Sequence, residues 1–204
     1  ITGASATNTI TFKGSSKSSV RLYNGLSTGT YVLYMSSSKY ITFQDMTIEY
    51  ATTTAVSYKY TIYLSSSSYC SFKNCNIKSP VVTGFTYVYN VYNTSGTNNT
   101  FDNNRITGGF YGLYNYGGYG NTTYGNHLFK NNKITQAYYY LVYDYGDYMD
   151  TWDGNTIDSV GYTYGAGMYG YYQSGLTFKN NKLIATGAYY GMMCYYPQTA
   201  SSTV

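Results

Sequence analysis

Phe129-Lys-Asn-Asn132-Lys-Ile134 is one of six segments written on a single template. An aromatic comes first, polar residues follow two and three places later, and an aliphatic sits at the fifth. The other five are Phe43-Gln-Asp-Met46-Thr-Ile48, Phe72-Lys-Asn-Cys75-Asn-Ile77, Phe101-Asp-Asn-Asn104-Arg-Ile106, Trp152-Asp-Gly-Asn155-Thr-Ile157 and Phe178-Lys-Asn-Asn181-Lys-Leu183. From positions 43, 72, 101, 129, 152 and 178 the aromatic spacings are 29, 29, 28, 23 and 26 residues. A period in the twenties implies one supersecondary unit stacked on copies of itself, which is a solenoid.

The register of one coil follows from side-chain alternation. Leu33, Ile62, Val91, Val142 and Met168 each stand ten residues before the aromatic of their coil. Leu113 stands sixteen before Phe129, which implies a loop insertion around 119–125. The next residues are Tyr34, Tyr63, Tyr92, Tyr114, Tyr143 and Tyr169. If the aliphatics face inward, these six tyrosines form one outward column, and Tyr116, Tyr145, Tyr171 and Tyr195 form a shorter one beside it. The template's aromatic and aliphatic are five apart, an odd spacing, so both reach the core only if the chain bends at the intervening polar pair. Asn104, Asn132, Asn155 and Asn181 then stack as an amide ladder, with Met46 and Cys75 as its apolar end. Gln44, Lys73, Asp102, Lys130, Asp153 and Lys179 follow the aromatics, and their signs alternate from Lys73 on. Alternation is what parallel neighbours about 4.8 Å apart require.

Composition agrees with strands and turns. The 204 residues include 32 Tyr and 22 Gly, and only 10% are charged. No sustained 3.6-residue apolar period is present, so almost no helix is expected. Twelve basic and eight acidic residues are dispersed, which argues against a nucleic-acid partner. No apolar run of about 18 residues suggests membrane insertion. Cys70, Cys75 and Cys194 lack zinc spacing, and the first two read as small buried fillers, with a Cys70–Cys75 disulfide as the alternative. The chain reads as a single segment of a longer repeat protein, with first strands or a partial coil over 1–30 and regular coils over 31–197.

The repeats resemble those of the right-handed parallel β-helix family, in which turns such as I-x-F-x-N-N-x-I recur. Asn8-Thr-Ile-Thr-Phe12-Lys-Gly, leading to Tyr40-Ile-Thr-Phe43-Gln-Asp-Met-Thr-Ile48, is similar to very long secreted bacterial surface proteins of adhesin type. The resemblance implies an all-β solenoid of six to seven coils and an extracellular or cell-surface location.

The acidic residues concentrate in Asp144-Tyr-Gly-Asp147-Tyr-Met-Asp150-Thr-Trp-Asp153. The resemblance implies carboxylate chemistry of the kind used by lyases and hydrolases on this fold, so the segment is a candidate catalytic pair or, through Asp144, Asp147 and Asp150, a candidate weak Ca²⁺ site. A solvated turn joined to the charge column is the preferred reading, with no cofactor and no catalytic residues. His127 reads as a strand residue with a satisfied hydrogen bond, lacking Cys or Glu at ligand spacing. Asn93-Thr-Ser, Asn98-Asn-Thr and Asn121-Thr-Thr match a glycosylation pattern that this composition produces by chance.

The function expected is a non-enzymatic rigid rod. Its exposed face of Tyr34, Tyr63, Tyr92, Tyr114, Tyr143, Tyr169, Tyr116, Tyr145 and Tyr171 is expected to bind glycan or cell-surface protein. Other coils of the same or neighbouring chains are further expected partners. The alternatives are a carbohydrate-active module or an extracellular filament of subunits stacked end to end.

Overall fold

The computed structural model describes residues 3–51, 58–82 and 87–197. Three seven-stranded parallel sheets run the length of the molecule, with no helix among the described residues. Sheet A holds Ile10–Lys13, Ile41–Gln44, Ser71–Lys73, Thr100–Asp102, Leu128–Lys130, Thr151–Asp153 and Thr177–Lys179. Sheet B holds Arg21–Asn24, Thr47–Tyr50, Asn76–Lys78, Arg105–Thr107, Lys133–Thr135, Thr156–Asp158 and Lys182–Leu183. Sheet C holds Tyr31–Ser36, Lys59–Ser65, Val88–Thr94, Tyr111–Tyr116, Tyr140–Tyr145, Ala166–Tyr171 and Tyr190–Tyr195. Each coil passes through C, A and B and returns to C one rung further along.

The template aromatics pair directly, Phe43 with Phe72, Phe72 with Phe101, Phe101 with Phe129, Phe129 with Trp152 and Trp152 with Phe178. Four of these contacts are stacked pairs with ring centroids 5.4, 5.2, 5.4 and 4.0 Å apart along Phe43–Phe72–Phe101–Phe129–Trp152. Ile48, Ile77, Ile106, Ile134 and Ile157 are fully buried beside them. Each buried isoleucine contributes roughly 1.5–3 kcal/mol relative to exposure, so truncating one to Ala would cost about 2–5 kcal/mol.

The expected bend lies between these two core positions. Asp45, Asn74, Asn103, Asn131, Gly154 and Asn180 all have positive φ, between 52° and 67°. Asn and Asp tolerate this left-handed conformation better than other side chains, and Gly has no penalty there. The turn aims the following residue inward. Asn104, Asn132 and Asn155 each accept at Oδ1 from the main-chain N–H one coil earlier, at 2.9, 3.0 and 2.9 Å. Asn181 ends the series, accepting from Asn155 N at 2.8 Å. The amide nitrogens of Asn104, Asn132 and Asn155 also donate to the next oxygen at 3.1, 3.0 and 2.9 Å. Met46 and Cys75 close the ladder as buried apolar residues.

The charge column holds as well. Lys73 pairs with Asp102, Asp102 with Lys130, Lys130 with Asp153 and Asp153 with Lys179. Two of these pairs are ion pairs, Lys130–Asp102 at 3.2 Å and Lys179–Asp153 at 3.5 Å. The inserted loop spans 117–127, where Asn121 Nδ2 donates to Tyr124 O at 2.6 Å and Gly146 O at 3.0 Å. All three cysteines are free; Cys70 and Cys75 are buried in different corners of the coil. No helix of the described residues is long and apolar enough to cross a membrane.

Candidate functional site

Sheet C presents the tyrosines outward. Tyr34, Tyr63, Tyr92, Tyr114, Tyr143 and Tyr169 align in one register column, continued by Met193. Successive ring centroids are 5.2, 4.9, 5.0, 4.5 and 5.3 Å apart. Tyr116, Tyr145, Tyr171 and Tyr195 make the second column, at 4.9, 5.3 and 6.0 Å. A third column, Tyr31, Tyr60, Tyr89, Tyr111 and Tyr140, lies on the other side of the first and escaped the sequence reading.

That miss has a local cause. Strict alternation from Leu33 would turn Tyr31 inward. Instead two consecutive residues face the interior, as in the buried pairs Thr61–Ile62, Asn90–Val91 and Leu141–Val142. Position 61 has no register partner among the paired residues on either side, so the strand kinks there and the tyrosine one place earlier turns out. Tyr31 and Tyr34 therefore stack on one another at 4.9 Å, as do Tyr60 and Tyr63.

From Tyr92 to Tyr169 neighbouring ring planes differ by 21°, 14° and 9°. Along this stretch each ring face is covered by the next tyrosine, so the surface there consists of ring edges and hydroxyls; Tyr63 breaks the stack, meeting Tyr34 at 49° and Tyr92 at 81°. Tyr34 at the open end is half exposed, whereas the middle rungs are partly buried by their neighbours. Burial, followed by Tyr63, pushes the Tyr92 phenol up to about 12. Burial also raises Tyr60, Tyr89, Tyr111, Tyr114, Tyr140 and Tyr143.

Beneath this face runs an interior column of the same strands: Met35, Leu64, Asn93, Asn115, Asp144, Gly170 and Cys194. It turns polar midway. A second inward column, from the corner joining sheets C and A, contains Cys70, Asn99, His127 and Asp150. Each of its rungs repeats the ladder logic: Cys70 N donates to Asn99 Oδ1 at 3.0 Å, Asn99 N to His127 Nδ1 at 3.1 Å, and His127 N to Asp150 Oδ1 at 2.8 Å. The two columns meet where Asn115 Nδ2 donates to Asp150 Oδ2 at 2.7 Å and Asp144 Oδ1 at 3.2 Å. Trp152 Nε1 donates to Asp144 Oδ2 at 3.2 Å.

The acidic segment is thus no solvated turn. Asp144, Asp147 and Asp150 are 0%, 1% and 0% exposed. Only Asp153 stands outside, in the charge column. The parity that places Val142 inside places Asp144 inside too, and that signal was legible in the sequence. Burial pushes Asp144 up to about 6. Burial also raises Asp147 and Asp150, and their neighbouring carboxylates add to it. Burial pushes His127 down to about 3, so the ring is neutral. His127 nevertheless has acidic neighbours that sequence spacing hid: its ligand-capable nitrogen and oxygens of Asp147 and Asp150 lie within 4.8 Å of one another.

A carboxylate pair sealed from solvent cannot flank a polysaccharide bond, so glycosidic cleavage is not open to these three residues as they stand. Asn93 is 1% exposed and donates to Asn115 Oδ1 at 2.6 Å, which removes it as a glycan acceptor. Asn98 Oδ1 accepts from the Asn126 amide, and Asn121 pins the inserted loop.

No curated protein and no solved structure matches the chain. A family model described as the right-handed β-helix region matches residues 31–203. With its three parallel sheets, corner ladders and stacked core aromatics, the chain belongs to the right-handed β-helix family.

Proposed function

We propose that the chain is a non-enzymatic structural and adhesive rod, acting outside the cell or at its surface, whose tyrosine ribbon binds glycan or protein partners. The observation that carries this reading is the continuity of the ribbon: three register columns of tyrosine on one face of sheet C. A rod whose coils contact only their neighbours keeps a regular surface over its whole length. Ring edges and hydroxyls repeating at about 4.8 Å suit a partner with its own repeating polar groups, either a polysaccharide or an extended peptide. Tyr34, Tyr63, Tyr92, Tyr114, Tyr143 and Tyr169 form the spine of this surface, and Tyr116, Tyr145 and Tyr171 widen it. A repeating aromatic face of this extent exceeds what a surface without partners ordinarily leaves to water.

The test is glycan-array and peptide-array binding by the native chain and by a variant carrying Tyr114→Ser, Tyr143→Ser and Tyr169→Ser, with circular dichroism to confirm the coil. Binding that disappears in a folded variant supports the ribbon. Equal binding by both proteins, or polysaccharide cleavage by the native chain, overturns it.

A further inference from the structure

We propose that the polar interior beneath sheet C is a binding site for one hard divalent cation, Ca²⁺ by its chemistry, held by oxygens of Asp144, Asp147, Asp150 and Gln173. The inference is independent of the tyrosine ribbon. Two buried oxygens in this region accept no hydrogen bond, Asp147 Oδ2 and Gln173 Oε1. Both residues are more than nine-tenths buried. An acceptor left bare in a protein interior costs about 1–3 kcal/mol, more for a charged group, so two together point to a missing positive partner.

The Gln173 side chain packs against Asp144 and hydrogen-bonds its carboxyl. Its Nε2 donates to Asp144 O at 2.8 Å, and its Cγ lies 3.5 Å from where a side chain on Gly170 would begin. Gly170 occupies the interior column directly after Asp144. Oxygens of Asp147 and Asp150 lie within 4.8 Å of each other, close enough for one ion to bridge. Asp144 is hydrogen-bonded side chain to side chain with Asp147, so the two carboxyls share one positive partner, and it is oriented by Asn115 and Trp152.

The donor set is all oxygen because His127 is excluded by its own hydrogen bonds. Asn99's main-chain N–H donates to Nδ1 at 3.1 Å. At the other edge Nε2 lies 3.0 Å from Asn93 Nδ2, an amide nitrogen that can only donate, so both ring nitrogens are covered by N–H groups and neither is turned to an ion. Carboxylates with an amide oxygen, and no nitrogen or sulfur ligand, select Ca²⁺ over zinc or copper. Every other titratable group facing the site is an acid or a thiol: Cys194 follows in the same column, and no Lys or Arg makes a described contact there. An ion so enclosed would enter during folding and stay.

The experiment refolds the full chain from denaturant in excess CaCl₂ or in EGTA, desalts both samples natively and measures bound metal and thermal unfolding. The expected result is about one Ca²⁺ per chain in the first sample, kept against chelator while folded and released on unfolding. Its unfolding midpoint should lie several degrees above that of the chelated sample. Asp147→Asn should abolish retention, yet at alkaline pH it should be more stable than calcium-free wild type, since it removes a buried charge. Wild-type protein that retains no calcium and unfolds identically in both conditions overturns the proposal and leaves protons to balance the site. Retention of zinc in preference to calcium overturns it as well.

Discussion

Replacing Asn132 by Ala removes a middle rung of the amide ladder, and the structure sets the size of the loss. Oδ1 accepts from Asn104 N at 3.0 Å and Asn104 Nδ2 at 3.1 Å. Nδ2 donates to Phe101 O at 2.8 Å and Asn155 Oδ1 at 3.0 Å. Two partners keep another bond: Asn104 Nδ2 still reaches Phe72 O, and Asn155 Oδ1 still accepts Asn132 N. Asn104 N–H loses its only acceptor, and Phe101 O loses a donor. With Asn132 2% exposed, water does not replace them. One orphaned N–H and one weakened carbonyl amount to about 2–4 kcal/mol. Asn181 makes comparable bonds at the ladder's end but is partly exposed, so Asn181→Ala should cost only about 1 kcal/mol. Urea unfolding followed by circular dichroism, comparing midpoints and slopes, measures both. If Asn132→Ala costs no more than Asn181→Ala, the ladder is not the structural element described.

Alkaline titration followed by ultraviolet absorbance should find the buried middle tyrosines Tyr60, Tyr89, Tyr92, Tyr111, Tyr114, Tyr140 and Tyr143 silent near pH 10. Their folded pKa values lie above the unfolded value, so the stability they confer is intact below pH 10. It declines as pH rises toward about 12, where Tyr92 ionises; ionisation of these seven tyrosines near pH 10 in folded protein contradicts the stacking. Without calcium, the raised carboxylates predict stability that is greatest below the ordinary aspartate range. It should fall as pH climbs through about 6 for Asp144. His127, pushed down to about 3, adds an opposite slope up to its ordinary 6.5. Asp150→Asn should flatten the fall, and an unchanged pH profile would count against the buried cluster. Lys130→Glu places a third carboxylate between Asp102 and Asp153. Because these groups are partly exposed, the cost should stay below about 1 kcal/mol and shrink with added salt.

Most of the architecture was readable because it repeats. The odd spacing of Phe129 and Ile134 demanded a bend, and Asn131 supplies it at a φ of 55°. The alternating charges demanded parallel neighbours, and Asp102 pairs with Lys130. What escaped lies where a local rule breaks. The Thr61–Ile62 pair turns two successive residues inward, which hid the Tyr31–Tyr140 column. The buried cluster draws Asp144 from a strand, Asp147 from one corner and Asp150 from a ladder rung. Along the sequence they look like one acidic turn, and their convergence exists only once the coil has closed.

The in-register coil itself is tested most directly by distances between spin labels along the charge column. Labels at positions 73 and 153 lie three rungs apart, and labels at 73 and 179 lie four rungs apart. Backbone separations of about 14 Å and 19 Å follow from a rise of about 4.8 Å per rung. Distances that grow by this increment with each rung confirm the coil; separations that ignore rung number contradict it.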